Sequence, residues 1–112
     1  MSSELLQKHC KPCEGGTKPL PTAVVASLHS EVPEWQLSAD SKMLSRDYTF
    51  TTFPKAMHFA NVVADLAEIE DHHPTITVAF NKVRLELFTH AIKGLSENDF
   101  ILAAKIDAVP RF

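Results

Sequence analysis

Three of the six histidines in this chain stand where a helix and a strand are expected to end. Imidazole is the side chain best suited to exchange protons near neutral pH. His72 and His73 are adjacent, directly after Asp71 and one helical turn after Glu68, and His90 precedes the loop marked by Gly94. A helix end and a strand end can converge at one rim of a sheet, which would bring the three rings into one pocket. Rings in unlike surroundings can then serve as acid and base within one turnover. The end of the helix and the neighbouring carboxylates favour a protonated ring there. The plainer alternative is that His72 caps a helix and His90 fills a loop; spacing alone does not separate the two.

Asp99 and Glu68 carry two readings as well. Asp99 at the third position of a helix is explained by capping, yet it can also orient a histidine. Glu68 is most simply a solvated charge. No metal site is expected, because adjacent His72 and His73 do not readily face one ion and no i, i+4 pair of histidines is present. Cys10-x-x-Cys13 has a spacing that suits metal or redox chemistry, but it lacks a second ligand pair and a βαβ context. It reads as a peripheral pair.

The elements that must position these residues follow from periodicity. Leu20, Val24, Val25 and Leu28 recur at helical spacing after the Pro- and Gly-rich stretch 9–21. Trp35 and Leu37 open a strand, and a second strand is expected around residues 47–51. Thr52 caps a helix with Pro54 just inside it, running to Glu70 on a face of Phe59, Val62, Val63, Leu66 and Ile69. Ala56, Ala60, Ala64 and Ala67 lie beside that face and allow another element to approach. Pro74 ends this helix through its effect on the preceding residue. Ile76, Val78 and Phe80, then Val83, Leu85 and Leu87, alternate with polar or small neighbours, so a hairpin with Asn81-Lys82 at its turn is expected. Ser96 and Asp99 form a capping box that launches a last helix to about Asp107. The expectation is one α+β domain, α-β-β-α-β-β-α, its four-stranded antiparallel sheet covered on one face by helices.

Composition bounds the function. The 112 residues suit one domain, read as an irregular leader over 1–20 and a folded unit over 21–112. Hydrophobic residues make up 45% and charged residues 22%, a globular rather than disordered balance. A net charge of -3 with no Lys/Arg cluster argues against direct nucleic-acid binding. Apolar runs of a few residues argue against a membrane span, and the start lacks the pattern of a signal peptide. A cytoplasmic domain is expected. The apolar surface of 54–70 and an open sheet edge point to self-association.

Glu68 with Asp71, His72, His73 and Pro74, then Phe80-Asn81-Lys82-Val83, then Thr89-His90, then Gly94-Leu95-Ser96 with Asp99 make up a longer pattern. Together they resemble the signature of the pterin-4a-carbinolamine dehydratase family: E-x-x-x-H-H-P, an aromatic followed by N-K-V, T-H, and G-L-S-x-x-D. The leader with Cys10 and Cys13 is similar to the longer N-terminal form of some microbial and plant members. The resemblance implies a hydro-lyase that dehydrates 4a-hydroxytetrahydrobiopterin to quinonoid dihydrobiopterin in tetrahydrobiopterin recycling, with no metal or redox cofactor. It implies His73 as the base, and His72 and His90 as acids for the two faces of the pterin. Asp71, His72, His73, Phe88, Thr89, His90 and Ala91 would line the site, with Glu68 and Asp99 supporting it. Ile76 stands where the family often carries Trp, which implies a smaller pocket wall. A homodimer or homotetramer is implied. Two alternatives also come from the family: a dimerisation cofactor of a homeodomain transcription factor, and a dehydratase-like protein of molybdenum-cofactor metabolism. Turnover of the carbinolamine separates the first from an enzyme, and the retained histidines argue against the second.

Overall fold

The alternating stretch from Thr75 to Leu87 folds as a hairpin whose second strand sits in the interior of the sheet. The structure, a computed structural model, describes residues 3–11 and 18–110. Its elements are α1 (Ser3–Gln7), α2 (Thr22–His29), β1 (Gln36–Leu37), β2 (Leu44–Thr49), α3 (Phe53–Glu70), β3 (Thr75–Ala79), β4 (Lys82–Leu87) and α4 (Glu97–Asp107), with a 3-10 turn over His90–Ile92. The strand order is β1-β2-β4-β3, antiparallel throughout, in the expected α+β arrangement. Leu44, Tyr48, Val83, Leu85 and Leu87 are buried on one face, with Ile76 and Val78 packed against them. Asp47, Thr49, Thr77, Lys82 and Arg84 remain exposed on the other. The two-residue period of a strand produces that division.

Three local expectations shift. The hairpin loop is Phe80-Asn81 rather than Asn81-Lys82, since Ala79 pairs with Lys82. Phe80 takes the left-handed backbone at φ 53°, a cost for a bulky side chain. The loop is held by β2's end: Asn81 Nδ2 donates to Phe50 O at 2.9 Å, and Phe50 N–H donates to Asn81 O at 2.8 Å. On α3 the buried stripe is Ala56, Phe59, Ala60, Val63, Ala67 and Glu70, while Ile69 is 76% exposed. Ala56, Ala60 and Ala67 therefore form part of the core-facing stripe itself, and Ile69 falls outside the arc that the helix buries. Thr52 caps α3 as expected, its side chain accepting from Lys55 N–H at 3.3 Å.

The leader is the third correction. Within 1–20, expected to be irregular, Ser3–Gln7 is helical, because Leu5 reaches the core against α4 and is only 2% exposed. Residues 12–17, with Cys13, lie outside the described residues. Further along, Leu20 N–H donates to Leu95 O at 3.0 Å. Gly94 permits this approach, since a Cβ there would stand 2.9 Å from Pro19 Cβ. At the other end of α4, Asp107 Oδ1 accepts from Trp35 Nε1 at 2.8 Å and from Arg46 Nη1 at 2.7 Å, tying that helix to β1 and β2.

Glu70, the last residue of α3, is buried and takes three donors. Its Oε1 accepts from Cys10 N–H at 2.9 Å; its Oε2 accepts from Lys105 Nζ at 2.7 Å and from His9 Nδ1 at 3.1 Å. Burial pushes this carboxyl up, but the Lys105, Cys10 and His9 hydrogen bonds and the Lys105 charge outweigh it and bring the pKa down to about 2. A carboxylate depressed on folding stabilises the fold above its unfolded pKa, and that stabilisation is lost as pH falls through the folded value. The contribution is about 3 kcal/mol at neutral pH, with about 2 kcal/mol of it lost by pH 3. Urea unfolding of wild type and Glu70→Gln between pH 6 and pH 3 should therefore converge as the solution is acidified. Parallel pH dependences for the two proteins would exclude this role for Glu70.

Candidate active site

The sheet register brings the histidines together. Thr75 pairs with Glu86, so the start of β3 and the end of β4 share one rim, with the end of α3 leading into it. Asp71 takes the left-handed backbone (φ 51°), and its N–H and that of His72 close on the carbonyls of Glu68 and Ala67 at 3.3 and 3.2 Å. This C-terminal turn, completed before Pro74, is what places His72. β4 stops at Leu87; Thr89 bridges to Gly94, and His90 opens the 3-10 turn rather than ending the strand.

Asp71, His72, His73, Phe88, Thr89, His90 and Ala91 line one cavity of about 250 Å³. That is slightly below the roughly 300–1,000 Å³ of drug-sized ligand sites. Ile76 is not among the lining residues. On β3 it packs against the core.

The histidines differ in their surroundings. His72 Nε2 lies 2.7 Å from Oδ1 of Asp99, whose side chain is fully buried. Oδ2 of Asp99 accepts from Thr89 Oγ1 at 2.6 Å and from Ser96 N–H at 2.9 Å. An ionised carboxylate only accepts, so His72 carries its proton on Nε2 and leaves Nδ1 to other partners. Asp99 thus performs both roles open to it from sequence: one oxygen completes the capping box, and the other holds a histidine. His73 Nε2 lies 2.6 Å from Glu68 Oε1, in a pair exposed to solvent. Such a pair adds little stability. His90 is exposed and meets the Phe88 ring edge-on, with centroids 4.9 Å apart. Sequence reasoning took Ser96 only as a helix cap, but its Oγ also lies 2.9 Å from Thr89 Oγ1, beside Asp99. The Thr and Ser of T-H and G-L-S-x-x-D were the available signal.

Other cavities offer less chemistry. One of about 440 Å³ lies over the exposed sheet face, where Arg84 donates to both oxygens of Asp47 at 2.8 and 3.1 Å. That pair holds the Asp47 carboxyl below the usual carboxylate range, so the charged groups there are engaged with each other. The Cys10 thiol is pushed up to about 12, first by burial and then by the Glu70 charge, which leaves it a protonated donor at neutral pH. Among the described residues, no three His, Cys, Asp or Glu side chains converge as a metal-ligand set, and no helix is long and apolar enough to cross a membrane.

Fold and site together define an α+β domain with two carboxylate-backed histidines at one rim of its sheet. The family profile described as pterin 4 alpha carbinolamine dehydratase matches residues 18–109. The protein named "Putative pterin-4-alpha-carbinolamine dehydratase" in Halorhodospira halophila is 44% identical over 105 residues, 94% of this chain and 96% of that one. A relative of the same name in Nitrosomonas eutropha is 47% identical over 105 residues, 93% of this chain and 91% of that one. The crystal structure of a transcriptional coactivator/pterin dehydratase from Brucella melitensis is similar with a TM-score of 0.75 and 30% identity, covering 81% of this chain and 97% of that one. A pterin dehydratase-like RuBisCO assembly factor of the alpha-carboxysome shares the fold, with a TM-score of 0.57 and 24% identity over 67% of this chain and 87% of that one. The chain belongs to the pterin-4a-carbinolamine dehydratase family.

Proposed function

We propose that this protein dehydrates a 4a-hydroxytetrahydropterin, of which the biopterin form is the expected substrate, to the quinonoid dihydropterin and water. The observation that carries the reading is the His72 ring, lining the cavity while its Nε2 is held by the fully buried Asp99. In the reaction the C4a–O bond breaks, the N5–H bond breaks, and the electrons of the N5–H bond form the N5=C4a double bond. Hydroxide leaves poorly, so an acid must protonate the oxygen as a base takes the N5 proton. His73, paired with Glu68 at the solvent edge, is assigned as the base: it takes the N5 proton and passes it to water. His72 and His90 are assigned as the acids. Asp99 facing His72 compensates the charge of a ring that holds two protons, while Phe88 fixes the plane of His90. The cavity lining supplies orientation, and no step requires electron transfer.

Stopped-flow decay of a chemically generated 4a-hydroxytetrahydropterin tests this. Decay should be much faster with the protein than in buffer at the same pH; equal rates would refute the reading.

In this reading the protein acts in the cytoplasm and as a homo-oligomer. Ile69 is 76% exposed on α3, opposite the stripe that the helix buries, and Phe53 at its first turn is 47% exposed. Sedimentation at micromolar concentration should show a dimer or tetramer, and Ile69→Glu should shift it toward monomer. A wild-type protein that sediments only as a 12.4 kDa monomer contradicts this part.

A further inference from the structure

Two buried polar side chains outside the catalytic set share an arrangement. Glu70 and Asn98 are 5% and 7% exposed, and burying such groups is costly unless they are hydrogen-bonded. The leader supplies partners to both. Cys10 N–H donates to Glu70 Oε1 at 2.9 Å, and Lys11 N–H donates to Asn98 Oδ1 at 2.9 Å. Asn98 Nδ2 returns a hydrogen bond to Lys11 O, and the Cys10 thiol donates to Asn98 O at 3.5 Å. The positions matter because Glu70 stands two residues before His72 and Asn98 immediately before Asp99. One short stretch of leader thereby grips both sides of the His72–Asp99 pair, whose partners come from different elements 27 residues apart.

We infer that residues 10 and 11 form a positioning strap, joining the end of α3 to the first turn of α4 so that His72 and Asp99 keep their separation during turnover. Glu70 and Asn98 are then positioning residues that touch no substrate and act through His72. The catalytic part of this inference rests on the dehydratase reading. The strap itself is a statement about the fold.

The test is a double-mutant cycle in the full chain. Asn98→Ala removes the Lys11 anchor while leaving every cavity-lining residue in place. In the wild-type background kcat should fall about tenfold with KM within about twofold, since small displacements of an acid–base group are costly. In a His72→Ala background the same change should cost less than about twofold, because residues acting through one group are not additive. Binding stoichiometry for 7,8-dihydrobiopterin, which lacks the 4a-hydroxyl, should stay at one per chain, so the fall in kcat is not a loss of folded sites. Lys11→Pro, which deletes the N–H donor and leaves the carbonyl, should reproduce the pattern if Asn98→Ala fails to fold, with Lys11→Ala as the control for the lost side chain and charge. Equal losses in both backgrounds, or none in the wild-type background, would overturn the inference and leave the leader a structural anchor. If the wild type shows no dehydratase activity, the functional reading fails and amide exchange judges the strap alone. Faster exchange over both 70–73 and 96–99 in Asn98→Ala supports it, and a change confined to 8–11 refutes it.

Discussion

His73→Ala is expected to slow dehydration of both 4a epimers by about 10²- to 10⁴-fold, the range of a single acid–base group. One N5 proton must leave whichever face carries the hydroxyl, so a single base serves both epimers. The two residues assigned as acids are expected to differ, because each would approach a planar bound ring from one side. His72 reaches the cavity from the end of α3 and His90 from the turn after β4, two separate elements that the cavity joins. His72→Ala and His90→Ala should therefore each slow one epimer more than the other, and the double variant should be slow on both. Stopped-flow traces with the separated epimers decide this. Equal slowing of both epimers by both single variants would replace the two-acid assignment with a shared binding role.

The second large effect is expected at Asp99. Its side chain is fully buried and accepts from His72 Nε2, Thr89 Oγ1 and Ser96 N–H. Asp99→Ala leaves those donors without their acceptor and opens a void, which should lower stability by several kcal/mol, at about 1–3 kcal/mol for each buried donor left unpaired. Asp99→Asn separates catalysis from folding. The amide keeps the volume and one acceptor, but it replaces the other oxygen with an NH2 group that donates and cannot accept. If the NH2 group faces His72, the proton on Nε2 has no acceptor and the ring favours the other tautomer. The expected result is a modest stability loss in urea unfolding together with a selective loss on the epimer that His72 serves, on the order of 10²-fold or more. Equal loss on both epimers would show that Asp99 does not act through His72.

Much of this was legible in the residues because the signals are local. The cap at Thr52, the box at Ser96 and Asp99, and the alternation over 75–87 each involve neighbours in sequence, and each specifies its own element. Asp71, His72 and His73 at a helix end, with His90 before a loop, marked a candidate site without any knowledge of the sheet. The hairpin turn lies one residue earlier than Asn81, a common turn former, leads one to expect. Its actual place depends on Phe50, just past the end of β2, bonding to it. Ile69 was misassigned to the core because hydrophobicity alone does not show how wide an arc of α3 the sheet and α4 cover.

The residues alone determined which groups carry exchangeable protons and, outside the helix Ser3–Gln7 and the turn at His90, which stretches become helix or strand, since both follow from side-chain chemistry and nearest-neighbour geometry. Only the tertiary structure decided that Glu68 serves His73 while Asp99 serves His72, that Ile76 faces the core, and that Leu5, Cys10 and Lys11 pack against α3 and α4. Each of those facts pairs groups separated in sequence, in the case of Lys11 and Asn98 by 87 residues. Such a pairing has no local signature: it depends on strand order and on which helix face is buried, both set by the packing of the whole chain.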